Sequence, residues 1–211
     1  QADVDELGAN ASIPVINALT DADHPTQLLA DWLTIRENFG TDIAGRKFVY
    51  LGDGNNMSHA WLLMGAIMGA HVVAATPSGK WAPDPVVVAV AKNIAAHNGG
   101  KVEVTHDPEA AAKDASVLYT DVWMSMGDSE ADRAEKMPAL SPFAVTENLM
   151  KLTSKDSLFM HCLPAHRGEE VEASVIDGPR SVVWREAYHR RTTIQSILYH
   201  LIKGDLKGST H

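Results

Sequence analysis

The chain alternates between short apolar runs and longer segments in which apolar residues recur at helical spacing. The short runs have the composition of strands buried on both faces, and they are "KFVYLG" (47–52), "HVVAATP" (71–77), "KVEVT" (101–105), "SVLYTD" (116–121) and "SLFMHCLP" (157–164). The helical pattern is clearest at residues 24–38, 58–70, 84–100 and 186–204. Strands that alternate with helices across short loops predict a doubly wound, Rossmann-like α/β fold, in which helices cover both faces of a parallel sheet.

One further apolar run precedes the first helix. "SIPVINAL" (12–19) predicts a buried strand, yet nothing before it offers a partner strand, and the chain has no initiator methionine. We therefore expect the chain to begin inside a larger fold, with residues 1–40 as the end of a preceding domain and an interdomain helix. Residues 41–185 would form the α/β domain. Residues 186–211 would form a terminal helix that packs back towards the preceding domain.

Composition and charge restrict the partners. The formal net charge of −9 at pH 7 disfavours a nucleic-acid backbone or an anionic membrane surface, because like charges repel. The N-terminus is acidic and lacks the features of a signal peptide, and no apolar run is long enough for a membrane-spanning helix. The single cysteine, Cys162, cannot form an internal disulfide. These features predict a cytoplasmic protein whose ligands are small molecules or proteins.

Polar side chains follow three of the predicted strands. Ligands of doubly wound sheets bind at the carboxyl ends of the strands, and these ends carry "GDGNN" (52–56), "TDVWMSMG" (120–127) and "MHCLP" (160–164). The first is similar to a dinucleotide-binding turn. However, Met57 stands where the third glycine of that motif belongs, and "AATP" (74–77) replaces the expected acidic residue. A helix N-terminus with two asparagines instead suits a small carboxylate or a zwitterion.

Two of these strand ends carry groups that could handle an amine. Cys162 follows His161 where the last strand ends, and a nearby positive charge would favour its thiolate. Asp121 ends another strand, and a carboxylate beside a thiol could position and desolvate an amine nucleophile, which must lose its proton to react. The alternatives are that Cys162 is a buried core residue and that Asp121 is a solvated or helix-capping aspartate.

A second candidate group lies at the start of the helix at residues 24–38. His24 and Gln27 share a face of its first turn, where the helix dipole favours an anion or a polarised carbonyl oxygen. The alternative is that His24 is an ordinary surface histidine. Asp23 is the expected helix cap, and the charged run "EADRAEK" (130–136) predicts a solvated helix face. No His or Cys cluster has zinc-site spacing and no G-x-S-x-G turn occurs, so we expect no metal, no cofactor and no serine nucleophile.

Four short motifs, in this order and at these spacings, resemble those of the ornithine carbamoyltransferases: "HPTQ" (24–27), "DGNN" (53–56), "DVWMSMG" (121–127) and "HCLP" (161–164). The resemblance covers essentially the whole chain. It implies an enzyme that binds carbamoyl phosphate to a first domain and L-ornithine to a second. The ornithine δ-amine attacks the carbamoyl carbon and gives L-citrulline and phosphate. Residues 1–40 would then end the carbamoyl-phosphate domain, and residues 41–185 would bind ornithine.

The resemblance also implies roles for individual residues. His24 and Gln27 would hold the carbamoyl oxygen and amide. Cys162 would orient the attacking amine, and Arg190 would contact carbamoyl phosphate. The implied catalytic residues are Cys162, Asp121 and Arg190. The implied substrate contacts are His24, Pro25, Thr26, Gln27, Asn56, Asp121, Ser125, Met126, Cys162, Leu163 and Arg190.

One segment of the family does not occur here. Its phosphate-binding Ser-Thr-Arg-Thr-Arg run is found nowhere in the 211 residues, so a phosphate dianion has little to neutralise it, and we expect negligible turnover by this chain alone. Apolar faces of the helices at 24–38 and 186–204 lie against the first domain in the family. We therefore expect a homo-oligomer, or pairing with a chain that supplies that domain. The alternative functions are a non-catalytic ornithine-binding or subunit-interaction module, or transfer to agmatine, putrescine or acetylated ornithine, although the "SMG" loop favours ornithine.

Overall fold

The computed structural model describes residues 1–124 and 129–204. The described part contains a sheet of five parallel strands, which confirms the five strands predicted from residue 47 onwards. They are β1 Lys47–Leu51, β2 His71–Ala75, β3 Lys101–Thr105, β4 Val117–Thr120 and β5 Leu158–His161. The predicted α/β fold class is therefore confirmed.

The strand order predicts a ligand site near the centre of the sheet. The strands lie in the order β3-β2-β1-β4-β5, so the chain builds outward from β1 to β3 and then returns past β1 to β4. The register pairs Leu51 with Thr120, so β1 and β4 end side by side. Doubly wound sheets bind ligands at such a reversal of strand order, beyond the carboxyl ends of the strands. The loops that follow β1 and β4 therefore flank the predicted site.

Helices connect the strands and cover the sheet. They are α1 Ala2–Asn10, α2 Pro25–Phe39, α3 Asn56–Ile67, α4 Pro85–Asn98, α5 Pro108–Ala112, α6 Glu130–Leu140, α7 Glu147–Lys151, α8 Ala173–Ile176 and α9 Val183–Lys203. The four helices predicted most clearly from the sequence correspond to α2, α3, α4 and α9, with ends that differ by a few residues. No helix in the two described ranges combines the length and apolar character needed to cross a membrane.

Each face of the sheet has its own hydrophobic core. On one face, Trp61 of α3 packs on Tyr119 of β4, with ring centroids 4.7 Å apart. On the other face, α5, α7 and α8 pack against Phe159 of β5. Burying a large apolar side chain contributes about 1.5–3 kcal/mol. Because side chains alternate along a strand, Cys162 packs against the first core, whereas His161 lies on the same side as Phe159, with ring centroids 6.5 Å apart.

The prediction of a strand at residues 12–19 is wrong. This segment has no regular secondary structure, and its apolar side chains are largely exposed, including 74% of Ile13. A strand needs a neighbour for its backbone hydrogen bonds, and no strand in the described ranges pairs with this run. Its end is attached by a side chain instead, because the Thr26 hydroxyl donates to the carbonyl of Ala18 at 2.9 Å.

The two helices that were expected to carry exposed apolar faces differ from each other. α2 is largely buried, and its Leu28, Trp32 and Ile35 belong to the first core, so the expectation is wrong for this helix. α9 does expose apolar side chains, with 71% of Trp184 and 86% of Ile202 accessible. Exposed apolar side chains on one helix make α9 a candidate interaction surface.

Candidate active site

Asn55, in the loop after β1, joins the start of α3 to the loop after β4. Its side-chain oxygen caps α3 by accepting the backbone N–H groups of Met57 and Ser58 at 3.0 and 3.2 Å, as asparagine commonly does at this position. The Tyr50 hydroxyl donates to the same oxygen at 3.3 Å. The amide nitrogen of Asn55 donates to Oδ2 of Asp121 at 3.2 Å. Asn55 therefore fixes Asp121 across the crevice where the strand order reverses.

Gly54 allows this loop to approach another stretch of backbone. A Cβ atom at residue 54 would lie 2.2 Å from the carbonyl carbon of Ala82 and 2.4 Å from the nitrogen of Pro83. We expect Gly54→Ala to reduce the free energy of unfolding by about 1–3 kcal/mol, because overpacking displaces backbone. Urea unfolding measures this. Gly8→Ala is the control, since a Cβ there meets no heavy atom within 4 Å; equal effects of the two substitutions would contradict the close approach.

Cys162 follows β5 and is held by Asp121. Its thiol donates to Oδ1 of Asp121, with a distance of 2.9 Å from Sγ, and the same oxygen accepts the backbone N–H of Val122 at 2.7 Å. Burial, followed by the neighbouring charge of Asp121, raises the pKa of the Cys162 thiol well above its ordinary value. This shift disfavours the thiolate that a nearby positive charge would favour, and Cys162 acts here as a hydrogen-bond donor.

His161 is not positioned to supply the positive charge that a thiolate would need. Its ring is buried on the opposite side of the sheet, where Nε2 donates to Oε1 of Glu170 at 3.2 Å. Its Nδ1 accepts the backbone N–H of Leu163 at 2.9 Å, which places the ring hydrogen on Nε2. Leu163 has a φ of 55°, a conformation that is uncommon for residues other than glycine and that concentrates at functional sites.

His24 is the N-cap of α2, and Pro25 occupies the first helical position. Asp23, the cap predicted from the sequence, instead accepts the backbone N–H of His24 on its side chain at 2.7 Å. The ring of His24 is buried, and its Nδ1 meets no hydrogen-bond partner in the described ranges. Burial, followed by the charge of Arg190, lowers the pKa of His24. The imidazole is therefore neutral at pH 7 and retains a nitrogen that can contact a ligand.

Arg190 of α9 reaches the first turn of α2. Its Nη1 donates to Oε1 of Gln27, and its Nη2 donates to the Thr26 hydroxyl at 3.4 Å. Its Nε is buried and has no hydrogen-bond partner among the residues that the structure describes. The structure therefore brings Arg190 together with the "HPTQ" motif, although the two are far apart in the sequence.

Two buried acids that the sequence argument missed lie next to Gln27. Nε2 of Gln27 donates to Oδ1 of Asp31 at 2.7 Å and to Oε1 of Glu186 at 2.9 Å. Oε2 of Glu186 accepts the backbone N–H of His161 at 3.1 Å. A signal was present, because Asp31 follows Gln27 by four residues and Glu186 precedes Arg190 by four, so each acid shares a helix face with a predicted site residue.

Three of the predicted substrate contacts do not belong to the hydrogen-bonded groups around Asp121 and Arg190. Asn56 does not contact Asp121, because its amide nitrogen donates to the carbonyl of Thr20 at 2.9 Å. Ser125 and Met126 lie outside the described residues. Asn55 is the asparagine that contacts Asp121, because it is the N-cap of α3. The "DGNN" sequence alone does not show which of its two asparagines caps the helix.

Lys136 of α6 forms a buried ion pair at the edge of the site. Its Nζ lies 2.7 Å from Oδ2 of Asp53, and the two side chains are 7% and 10% exposed. The predicted solvated face at residues 130–136 is correct for most of its positions and wrong for Lys136. The pair attaches α6 to the loop that carries Asn55.

Folding also brings together three potential metal ligands that sequence spacing did not indicate. Ligand atoms of His166, Glu169 and Glu170 lie within 4.8 Å of one another. Glu169 is paired with Arg133 at 2.6 Å, and Oε1 of Glu170 accepts the backbone N–H of His166 at 2.5 Å. Protein groups therefore already engage two of the three side chains, and we assign no metal to them.

Two family models match the chain. The model of the aspartate/ornithine carbamoyltransferase Asp/Orn binding domain matches residues 44–201, and that of the carbamoyl-P binding domain matches residues 1–37. The chain belongs to the aspartate/ornithine carbamoyltransferase family. The first match contains all five strands, and the second contains α1 and most of α2. The domain division at residue 40 stays a prediction.

Individual relatives agree with this assignment. The ornithine carbamoyltransferase of Pyrococcus abyssi is 51% identical over 206 residues, which are 98% of this chain and 64% of that protein. The structure of ornithine carbamoyltransferase from Pyrococcus furiosus has a TM-score of 0.90 at 48% identity and covers 98% of this chain and 64% of its own. The ornithine transcarbamoylase structure from Giardia lamblia has a TM-score of 0.87 at 36% identity, over 96% and 67%. The chain thus spans 64% of the length of the curated Pyrococcus abyssi relative.

The site of this carbamoyltransferase-family chain has two chemically different sides. On the strand side, the Asp121 carboxylate can attract an ammonium group beside the Cys162 thiol. On the helix side, the Arg190 guanidinium can donate a hydrogen bond to a carbonyl oxygen, and the neutral His24 ring offers the buried Nδ1 to a ligand. Glu186 connects the two sides, because it contacts both Gln27 and the backbone next to Cys162.

Proposed function

We propose that this chain is the ornithine-binding part of an ornithine carbamoyltransferase, which transfers the carbamoyl group of carbamoyl phosphate to L-ornithine and releases L-citrulline and phosphate. The contact that carries the proposal is the 2.9 Å hydrogen bond from Cys162 to Asp121, at the point where the strand order reverses. A ligand in that crevice would meet both side chains. The ornithine carbamoyltransferases that resemble the chain over nearly all of its length support the same reaction.

On the ornithine side, Asp121 offers a carboxylate whose orientation is fixed by donors from Cys162 and Asn55. This carboxylate attracts the α-ammonium group of ornithine. Cys162 orients the attacking δ-amine, and desolvation against the thiol favours the neutral, nucleophilic form of that amine. The remaining proposed contacts to ornithine are Asn56, Ser125, Met126 and Leu163.

On the carbamoyl side, the proposed contacts are His24, Pro25, Thr26, Gln27 and Arg190. Negative charge develops on the carbamoyl oxygen when the amine attacks, and donors already aimed at that oxygen stabilise the transition state. Arg190 has a buried Nε–H available for this role, and His24 has a buried Nδ1 that can contact the carbamoyl group. Oε1 of Gln27 can accept an N–H from the carbamoyl amide.

Calorimetric titration with L-ornithine, in the absence and presence of carbamoyl phosphate, tests the proposal. We expect ornithine to bind, and we expect putrescine, which lacks the α-carboxylate, to bind more weakly. Tighter ornithine binding in the presence of carbamoyl phosphate would support a shared active site. No ornithine binding under either condition would contradict the proposal.

The alternative is a non-catalytic ornithine-binding module, which would bind ornithine without transferring a carbamoyl group to it. The 211 residues contain no Ser-Thr-Arg-Thr-Arg segment to neutralise a phosphate dianion. A citrulline assay on the chain alone is therefore expected to show negligible turnover. A fusion that places the preceding part of the Pyrococcus furiosus relative before Gln1 is expected to restore turnover, whereas ornithine binding without turnover by that fusion would support the module.

We further propose that α9 takes part in subunit association. Trp184 and Ile202 expose most of their surface, and burying such side chains contributes about 1.5–3 kcal/mol each. Sedimentation at micromolar concentration is expected to show an oligomer, and Ile202→Glu is expected to weaken it. The control is Val86→Glu, since Val86 is also exposed but lies on α4. A monodisperse monomer would contradict this proposal.

A further inference from the structure

Asp31 and Glu186 form a pair of carboxyl groups in the interior of the protein, at 0% and 1% exposure. One nitrogen, Nε2 of Gln27, donates one hydrogen to each of them, at 2.7 and 2.9 Å. Both acids are thereby held around a single amide group. Two ionised carboxylates in this arrangement would repel each other in a region from which water is excluded.

One positive charge, that of Arg190, lies near the pair, and it can neutralise one carboxylate. Arg190 of α9 lies beyond Gln27 and donates to its Oε1. Burial raises the pKa of Asp31 to about 7, and burial together with the neighbouring Asp31 raises the pKa of Glu186 well above its ordinary value. One positive charge and two acids therefore balance when the acids retain one proton between them.

The pair also determines the orientation of two segments of the site. Because both acceptors lie on the nitrogen side of the Gln27 amide, its Oε1 must face Arg190, which is the orientation needed to accept an N–H from a carbamoyl group. The second oxygen of Glu186 accepts the backbone N–H of His161 at 3.1 Å. This contact fixes the end of β5 immediately before Cys162.

We propose that Asp31 and Glu186 share one proton and act as positioning residues, which orient Gln27 and Arg190 and fix the strand end that carries Cys162. The ligands that benefit from this arrangement follow from the proposed function. The shared proton is a property of the chain without ligands, so it can be tested separately.

The other titratable groups that face the pair come from two further elements. Tyr119 of β4 has a pKa raised by burial and then by Asp31, and the Cys162 thiol at the end of β5 also has a raised pKa. Arg190 carries its positive charge. Near neutral pH, a change of charge in this group therefore comes from the pair itself.

The rate at which Cys162 reacts with iodoacetamide near neutral pH depends on the number of negative charges on Asp31 and Glu186. The thiolate is disfavoured by negative charge nearby, and Cys162 is the only thiol in the chain. A pair that shares one proton carries one negative charge, and so does either single variant, Asp31→Asn or Glu186→Gln. Both single variants are expected to react at the wild-type rate within about twofold. The double variant removes the last charge and is expected to react roughly tenfold faster.

Other outcomes overturn the shared proton. If each single variant reacts markedly faster than wild type and the double variant faster still, both acids are ionised. Equal rates in all four proteins would show that the pair carries no charge. As the pH rises, wild type loses the shared proton and Asp31→Asn does not, so the wild-type rate is expected to increase less steeply. Glu37→Gln, an exposed acid on the same helix as Asp31, is the control and is expected to match wild type.

Ornithine affinity tests the positioning role. Glu186→Ala is expected to weaken ornithine binding at least about tenfold, because it releases the strand end before Cys162, and Glu186→Gln, which keeps an oxygen for the His161 N–H, is expected to recover most of that loss. Equal affinities of the Ala and Gln variants would overturn the role. If Glu186→Ala does not fold, Glu186→Gln and wild type are compared across pH, and parallel affinity profiles would overturn it. If wild type binds no ornithine, the proposed function and the positioning role both fail, while the alkylation rates still decide whether the proton is shared.

Discussion

Asp121→Asn is expected to weaken the binding of L-ornithine by about 30- to 1000-fold. Removing one member of a buried, hydrogen-bonded charge pair costs about 2–4 kcal/mol, and asparagine preserves the shape of the side chain while it removes the charge that attracts an ammonium group. Calorimetric titration of the purified chain measures the change.

A second readout separates this effect from unfolding. Since Asp121 raises the pKa of the Cys162 thiol, the Asn variant is expected to alkylate faster than wild type while it binds ornithine more weakly. Asp107→Asn is the control, because Asp107 caps α5 outside the proposed site and asparagine caps helices equally well. Unchanged ornithine affinity in the Asp121 variant would remove this residue from the proposed site.

Lys136→Ala is expected to reduce the free energy of unfolding by about 3–5 kcal/mol. The substitution breaks a buried ion pair with Asp53 and leaves a carboxylate in a region with little access to water, which is strongly unfavourable. Urea unfolding measures the loss. Because this pair attaches α6 to the loop of Asn55, we also expect weaker ornithine binding in variants that still fold.

Lys80→Ala is the matched control for this substitution. Lys80 also lies over the ring of Trp81, at 4.4 Å compared with 5.4 Å for Lys136, and it also pairs with an acid, Glu135, at 2.7 Å. Its pair is exposed to solvent, so the expected loss is below about 1 kcal/mol. Losses of similar size in the two variants would show that burial does not determine the contribution of the Lys136 pair.

The sheet could be predicted from the sequence because strands of a covered parallel sheet are apolar on both faces. The runs that became β1, β2, β4 and β5 are almost continuously buried. The same reasoning failed for residues 12–19. An apolar run predicts that a segment needs burial, but it does not show which strand will pair with it.

The strand ends that form the candidate site could be predicted from the sequence, but most of the contacts between its side chains could not. The rule that ligands bind at carboxyl ends selected Asp121 and Cys162, which the structure places 2.9 Å apart. The protonation of Cys162 was not predictable, because it depends on burial and on a carboxylate from another strand. Glu186 was missed because its role depends on contacts with a distant helix.

The rate of Cys162 alkylation with and without L-ornithine tests the central claim most directly. The chain has one cysteine, so the modification reports on one position. We predict that ornithine slows the reaction in a saturable manner, with half-protection at its calorimetric dissociation constant, and that putrescine protects less effectively. An alkylation rate that ornithine leaves unchanged, although ornithine binds to the chain, would show that the amine binds away from Cys162 and Asp121.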